Sequence, residues 1–217
     1  MSTNSEILRI SEIFFSLQGE TRTTGLPTVF VRLTGCPLRC RYCDTTYAFT
    51  GGQSMSIDEI AHRVTEYGVK HVTITGGEPL AQKSCHDLMS RLCDAGHEVS
   101  LETSGAMSVA DIDSRVVKVI DIKTPGSGEV EKNLYENFKY LDVEDQIKFV
   151  ICNEEDYAWC KGIIDQYQLS GRYQVLFSPS HEELDAGLLA DWILRDKLSV
   201  RFQIQLHKYL WGNVPGR

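Results

Sequence analysis

The sequence predicts an α/β fold built on a partial, open (β/α) barrel of about six parallel strands. Strand-like and helix-like segments alternate along most of the chain, the order that produces a parallel sheet with right-handed crossovers. Six or seven strand-like segments occur, fewer than a closed barrel needs. Glycine-rich and polar segments follow successive strands, as in folds that bind ligands beyond the carboxyl ends of their strands.

The predicted strands are short runs rich in β-branched and aromatic residues. They are TVFVRL (28–33), HVTITGG (71–77), EVSLETSG (98–105), VVKVIDIKT (116–124), QIKFVIC (146–152), YQVLFSP (173–179) and SVRFQIQL (199–206). Helices are predicted at 56–68, 83–96, 153–167 and 182–196. Ser56 and Glu59 have the spacing of a capping box at the start of the first helix, and Gly68 suits its end.

The composition is that of a globular protein with a substantial core. With 217 residues, 42% of them hydrophobic, and no repeat or linker, we expect one domain spanning 1–217. A net charge of −8 without a Lys/Arg-rich run argues against binding to a nucleic acid backbone. The sequence has no apolar run of membrane-spanning length and no signal-peptide pattern, so we expect a cytoplasmic protein.

The predicted carboxyl ends of the strands carry residues that could form one site. They are a cysteine loop (35–45), TGGEP (75–79), ETSG (102–105), DIKTPGSG (121–128), FSPS (177–180) and HKY (207–209). Because the carboxyl ends of parallel strands meet at one edge of a sheet, we expect these segments to share a binding site. The alternative is a set of ordinary structural loops rich in glycine and serine.

The cysteine loop, GCPLRCRYCDT, has the spacing C-x3-C-x2-C at Cys36, Cys40 and Cys43. Such thiolates suit zinc or an iron–sulfur cluster. A structural zinc site would need a fourth protein ligand. The remaining four cysteines lack paired spacing, and we expect them to be small buried apolar residues: Cys85, Cys93, Cys152 and Cys160. A [4Fe–4S] cluster held by three cysteines instead leaves one iron open to a substrate or cofactor.

The cysteine spacing resembles that of the radical S-adenosylmethionine (SAM) superfamily, and TGGEP one strand later strengthens the resemblance. In this superfamily SAM binds the open iron and is cleaved to methionine and a 5′-deoxyadenosyl radical. The resemblance implies that Gly76, Gly77 and Glu78 contact the amino group of SAM, and that Tyr42 packs near its adenine. The alternative for TGGEP is an ordinary strand-to-helix turn with a solvated glutamate.

Three further segments narrow the resemblance. They are EIFFSLQGE (12–20), CDTTY (43–47) and QLHKYLWGNVPGR (205–217). Together they are similar to the 7-carboxy-7-deazaguanine synthases, from about residue 10 to the C-terminus. The resemblance implies a lyase that converts 6-carboxy-5,6,7,8-tetrahydropterin to 7-carboxy-7-deazaguanine with loss of ammonia, in queuosine and 7-deazapurine biosynthesis. It also implies a [4Fe–4S] cluster, SAM, Mg²⁺, a flavodoxin or ferredoxin-type reductant and a homodimer.

The implied mechanism begins with hydrogen abstraction from the substrate carbon that bears the carboxylate, followed by ring contraction; no protein acid or base is assigned. The resemblance implies a substrate site formed by Leu17, Gln18, Gly19, Glu20, Arg32, Thr103 and His207. A guanidinium can bind a carboxylate with two hydrogen bonds. Amide and carboxylate side chains can pair with pterin N–H and C=O groups. The alternatives are a surface salt bridge for Arg32 and a plain surface position for His207.

The resemblance makes Thr45 the Mg²⁺ ligand, since a hard cation prefers oxygen and can keep substrate and water in its shell. The alternative is a hydroxyl that stabilises a local turn. Further SAM-binding positions are implied at Ser104, Gly105, Lys123, Thr124, Pro125, Phe177, Ser178, Pro179 and Ser180.

Two features depart from the family pattern or extend beyond it. Thr21 stands where the pattern often has glycine, so the 20–27 loop is expected to take a different path. The segment 205–217 is implied to close the site, and the role of Pro215 there is open. Two other functions are consistent with the cysteine loop: an activase that abstracts hydrogen from a glycine of a partner protein, and a non-catalytic iron–sulfur or zinc module.

Overall fold

The computed structural model describes residues 7–212, Val214 and Gly216, and its framework is a nine-stranded sheet. The strands are β1 (Ile7–Leu17), β2 (Pro27–Leu33), β3 (Gln53–Ser56), β4 (His71–Gly76), β5 (Glu98–Thr103), β6 (Val117–Ile122), β7 (Gln146–Ile151), β8 (Gln174–Pro179) and β9 (Arg201–Phe202). Their order across the sheet is β3-β1-β2-β4-β5-β6-β7-β8-β9. Pro215, one of the predicted tail residues, lies outside the described residues.

Strands β2 and β4 to β9 pair in parallel, each with its neighbour. Strand β1 lies between β2 and β3 and is antiparallel to both. β3 and β9 form the two edges of the sheet. The predicted open, mostly parallel α/β sheet is therefore confirmed.

Five α-helices accompany the sheet in the described part of the chain: α1 (Ile57–Glu66), α2 (Cys85–Asp94), α3 (Glu154–Tyr167), α4 (Ala186–Asp196) and α5 (Leu206–Trp211). The capping box of α1 is present, because the Ser56 side chain accepts a bond from the Glu59 N–H and the Glu59 carboxylate accepts one from the Ser56 N–H. The connections from β5 to β6 and from β6 to β7 contain only loops and short 3-10 turns. Within the described residues no helix has the length and apolarity needed to cross a membrane.

Alternation along the parallel strands separates an apolar face from a polar one. In β7, Ile147, Phe149 and Ile151 belong to the core that the strands share with the helices. Lys148, between them, points to the opposite, concave face and lines a cavity there. The Thr73 hydroxyl of β4 contacts the Ser100 hydroxyl of β5 at 2.9 Å on this face. The concave face of the sheet is therefore polar, and its own side chains make it so.

The sequence missed two strands and misjudged a third. β1 and β3 were not predicted: the middle of β1 has four successive half-buried side chains without alternation, and β3 has only four residues. The predicted strand 199–206 was too long: β9 has two residues. The Gln203 N–H still bonds the Phe177 carbonyl at 3.0 Å, but the Leu206 N–H donates to the Gly19 carbonyl at 3.1 Å, and α5 begins there.

Candidate active site

One cavity of about 590 Å³ lies at the carboxyl ends of the parallel strands, and most of the predicted site residues line it. They are Leu17, Gln18, Gly19, Glu20, Arg32, Cys36, Cys40, Tyr42, Cys43, Thr45, Gly76, Gly77, Thr103, Ser104, Lys123, Ser180 and His207. These residues come from segments far apart in the sequence. The expectation of one shared cavity at this edge therefore agrees with the structure.

The cysteine loop is held against the TGGEP segment by backbone contacts. The Glu78 N–H donates to the Gly35 carbonyl at 2.7 Å, and the Gly77 N–H donates to the Leu33 carbonyl at 3.2 Å. A Cβ atom at Gly77 would overlap the Gly35 carbonyl and would lie 3.1 Å from the Cβ of Cys36. Glycine is needed at position 77 because the two loops pack backbone to backbone.

The three thiols are half-buried, and each lines the cavity. Burial raises the pKa of Cys40 to about 11, although the nearby Lys123 ammonium acts in the opposite direction. Burial also raises the pKa of Cys36. A bound metal would have to displace these protons, since thiolates are the ligating form.

The loop fits an iron–sulfur cluster better than zinc. All seven cysteines are free, and the described residues hold no group of three or more His, Cys, Asp or Glu side chains converging on one metal ion. A closed zinc site requires such convergence. A [4Fe–4S] cluster is held by cysteine thiolates, each on a different iron, so three thiols that line one cavity suit it.

Glu78 is fully buried and does not line the cavity, in contrast to the solvated turn that was the alternative. Its carboxylate accepts hydrogen bonds from the Thr103 hydroxyl at 2.9 and 3.0 Å, and from the Ser104 N–H at 2.7 Å. The Leu80 N–H donates a further bond at 3.0 Å. In this structure Glu78 thus connects the ends of β4 and β5, and its predicted contact with the SAM amino group stays a prediction.

Six other predicted SAM positions also lie outside the cavity lining: Gly105, Thr124, Pro125, Phe177, Ser178 and Pro179. Phe177 is buried in the apolar core, where it packs edge-on against Phe149 at 5.7 Å between ring centroids. The Thr124 hydroxyl donates to Asp156 at 2.9 Å. Strand alternation explains Phe177, because only every second side chain of β8 can face the concave side.

The substrate positions at the start of the chain line the same cavity. Arg32 contacts Glu12 at 2.7 Å through its Nε, and its guanidinium lies 5.7 Å from the centre of the Phe14 ring. Arg32 is therefore largely buried, and it has a carboxylate partner within the protein. The Gln18 amide donates to Thr73 at 3.1 Å and to Glu102 at 3.3 Å on the polar interior of the sheet.

Helix α5 covers one side of the cavity and brings His207 to it. Lys208 pairs with Asp44 at 2.9 Å, and the Gln205 amide donates to the same carboxylate at 3.3 Å. A Cβ atom at Gly19 would collide with the His207 ring, so α5 and the segment around Gly19 are in close contact. Burial lowers the pKa of His207, which favours the neutral imidazole.

Sequence reasoning gave no role to several charged residues of the cavity wall, among them Glu102 and Asp121, which lie in segments predicted to form the site, and Lys148, which lies in none of them. Lys148 forms ion pairs with Glu20 and, at 3.7 Å, with Asp121. Asp121 also lies 3.1 Å from Lys123. A signal was present, because a lysine in the middle of the buried strand QIKFVIC needs a partner for its charge.

Comparison with known proteins first gives the class. The sequence profile of the radical SAM superfamily matches residues 30–120, which contain the cysteine loop and TGGEP. A crystal structure of QueE from Escherichia coli superimposes with a TM-score of 0.77 at 22% identity, covering 93% of this chain and 95% of that one. Streptococcus suis SuiB bound to S-adenosylmethionine gives a TM-score of 0.51 at 13% identity, over 79% of this chain and 45% of that one. These two likenesses concern the fold.

Curated relatives define the particular family. A 7-carboxy-7-deazaguanine synthase from Chlorobaculum tepidum is 48% identical over 98% of this chain and 97% of its own length. One from Koribacter versatilis is 42% identical over 94% of this chain and 97% of its own length. The chain therefore belongs to the 7-carboxy-7-deazaguanine synthase family of radical SAM enzymes.

Proposed function

We propose that the chain converts 6-carboxy-5,6,7,8-tetrahydropterin to 7-carboxy-7-deazaguanine with loss of ammonia, as a radical SAM lyase of 7-deazapurine biosynthesis. The observation that carries this proposal is the single cavity, which holds the three cysteine thiols together with Gln18 and Arg32. One cavity lets a cofactor and a substrate meet without solvent between them. The full-length similarity to enzymes of this name supports the assignment.

The cofactors are a [4Fe–4S] cluster and SAM, which together would supply the 5′-deoxyadenosyl radical that abstracts hydrogen from the substrate. Cys36, Cys40 and Cys43 would hold the cluster. Lys123 is buried at the cavity wall, where its ammonium can meet a carboxylate, and it lies 5.9 Å from the centre of the Tyr42 ring. Gly76 and Gly77 line the same cavity, where their backbone would contact the bound SAM.

The protein's own contribution to the reaction is binding, orientation and exclusion of water. Arg32 would bind the substrate carboxylate, and Gln18 and Glu20 would pair with the pterin ring. His207, neutral because of its burial, lies against Gly19 and can donate or accept one hydrogen bond beside Gln18 and Glu20. Thr103 also lines the cavity, and its hydroxyl donates to Glu78.

We further propose that Mg²⁺ binds at Thr45. Thr45 lines the cavity, and its hydroxyl is an oxygen ligand of the kind that a hard cation prefers. A divalent cation here would organise the substrate carboxylate electrostatically.

The remaining assignments concern the whole assembly. We propose a single domain over 1–217 whose segment 205–217 closes the site, a flavodoxin or ferredoxin-type reductant, and a homodimer. The contacts of α5 with Asp44 and Gly19 support the closing role. A separate reductant follows from the chemistry, because SAM cleavage needs an electron that this chain does not carry.

Anaerobic reconstitution followed by electron paramagnetic resonance tests the class of protein. A radical SAM enzyme is expected to show an axial signal of the reduced cluster that changes when SAM is added. An unchanged signal would favour the non-catalytic iron–sulfur or zinc module. Mass detection of the deazaguanine from the carboxytetrahydropterin then separates the lyase from the activase, which has no pterin site.

A further inference from the structure

The concave face of the sheet contains a buried lysine that the proposed function has not used. The Lys148 side chain is 14% exposed and forms an ion pair with the Glu20 carboxylate, which is 10% exposed. Asp121 lies 3.7 Å from the same ammonium. Removing a lysine charge from water costs free energy unless the charge is paired. A largely buried lysine such as Lys148 contributes little to solubility, so its role is to be sought inside the cavity.

The charges around Lys148 keep it protonated. Burial alone would lower the pKa of Lys148, but the Glu20, Asp121 and Glu102 carboxylates outweigh this effect and raise the pKa above its ordinary value. The Asp121 carboxylate is paired on its other side with Lys123 at 3.1 Å. Lys148 is therefore a fixed positive charge whose nearest partner is Glu20.

Glu20 reaches the cavity from a loop, whereas Lys148 belongs to a central strand. The Glu20 N–H donates to the Gln18 side-chain oxygen at 3.2 Å, which orients the backbone but not the carboxylate. The ion pair with β7 fixes the carboxylate itself. A carboxylate has about four lone-pair directions, so one bond to Lys148 leaves others free for ligand N–H groups.

We infer that Lys148 is a positioning residue for substrate recognition: its ion pair holds the Glu20 carboxylate aimed into the cavity as an acceptor for N–H groups of the pterin ring. This inference rests on the proposed function. Without the ammonium, the carboxylate would lose the contact that fixes its direction, because the Glu20 N–H bond orients only the backbone. A ring that offers N–H donors would then lose its partner.

The test compares steady-state kinetics of the reconstituted enzyme with those of Lys148→Met, which keeps the length and removes the charge. KM for the carboxytetrahydropterin should rise by about tenfold or more, while KM for SAM changes by less than about threefold. Lys148→Arg should restore most of the substrate affinity. In a Glu20→Gln background, adding Lys148→Met should have little further effect, since the lysine acts through that carboxylate.

A matched control is the buried pair of Lys118 and Asp145, 2.9 Å apart and 4% and 2% exposed, which does not line the cavity. Lys118→Met should lower stability without raising the substrate KM. The inference is overturned if Lys148→Met leaves that KM unchanged, if its effect persists in the Glu20→Gln background, or if Lys118→Met raises KM equally. Absence of product from the unmodified, cluster-containing enzyme would instead overturn the proposed function.

Discussion

Thr21 has a backbone conformation that is unusual for its residue type. Its φ is 76°, in the left-handed region, and the residue is buried. The sequence had marked this position as one where the family pattern often has glycine. The structure explains the pattern, because a β-branched residue in this region carries strain that glycine avoids.

Replacement of Thr21 by glycine should leave the free energy of unfolding unchanged or raise it by up to about 1 kcal/mol. The left-handed conformation costs an L-residue roughly 1–2 kcal/mol, partly offset by the greater unfolded-state entropy of glycine. Denaturant unfolding of the two proteins measures the difference. A clear loss of stability in Thr21→Gly would mean that the 3.2 Å hydroxyl contact with Thr23 outweighs the strain.

Thr45→Ala tests the proposed Mg²⁺ ligand. Activity and its dependence on Mg²⁺ should fall, while the iron content stays unchanged, because the hydroxyl is removed and the thiols are not. Thr46→Ala is the matched control, since Thr46 is exposed and does not line the cavity. If Thr45→Ala keeps the Mg²⁺ dependence of the unmodified enzyme, the hydroxyl has only a local structural role.

Glu78 and Lys148 show how far single residues could be predicted. The TGGEP motif indicated Glu78 as a site residue, but only the fold shows that Thr103 and Ser104 donate hydrogen bonds to its carboxylate. Lys148 shows the reverse case: no motif contains it, and strand alternation brings it to the cavity. Motifs locate loops well, whereas pairing between side chains of distant strands requires coordinates.

At the scale of elements, the end of β4 and the cysteine loop pack closely, backbone against backbone. Gly77→Ala should lower the iron bound after reconstitution and lower stability, because the added Cβ would overlap the Gly35 carbonyl. Gly162→Ala is a fitting control: a Cβ there meets nothing within 4 Å, and alanine favours helix α3 by up to about 1 kcal/mol. Normal iron content in Gly77→Ala would show that the loop can shift without harm.

The parallel strands were predictable and the outer strands were not. β2 and β4 to β8 combine buried β-branched residues with clear ends, and helices with identifiable caps follow β7 and β8. β1 and β3 depend on pairing at the edge of the sheet, which local patterns do not encode. The short β9 and helix α5 likewise depend on tertiary contacts, such as the bond from the Leu206 N–H to Gly19.

For the whole molecule, the open sheet places apolar side chains toward the helices and polar ones toward a single cavity. The opening at the carboxyl ends admits a cofactor and a substrate, and charged side chains on its wall form ion pairs with one another. The family's chemistry then needs few protein groups that react, because the cofactor supplies the difficult step.

The most direct test of this account is product formation. The reconstituted enzyme is incubated without oxygen with SAM, dithionite, Mg²⁺ and 6-carboxy-5,6,7,8-tetrahydropterin, and the mixture is analysed by mass spectrometry. The account predicts 7-carboxy-7-deazaguanine, and none from Cys40→Ala treated in the same way. A cluster-containing enzyme whose signal responds to SAM but which forms no deazaguanine would contradict it.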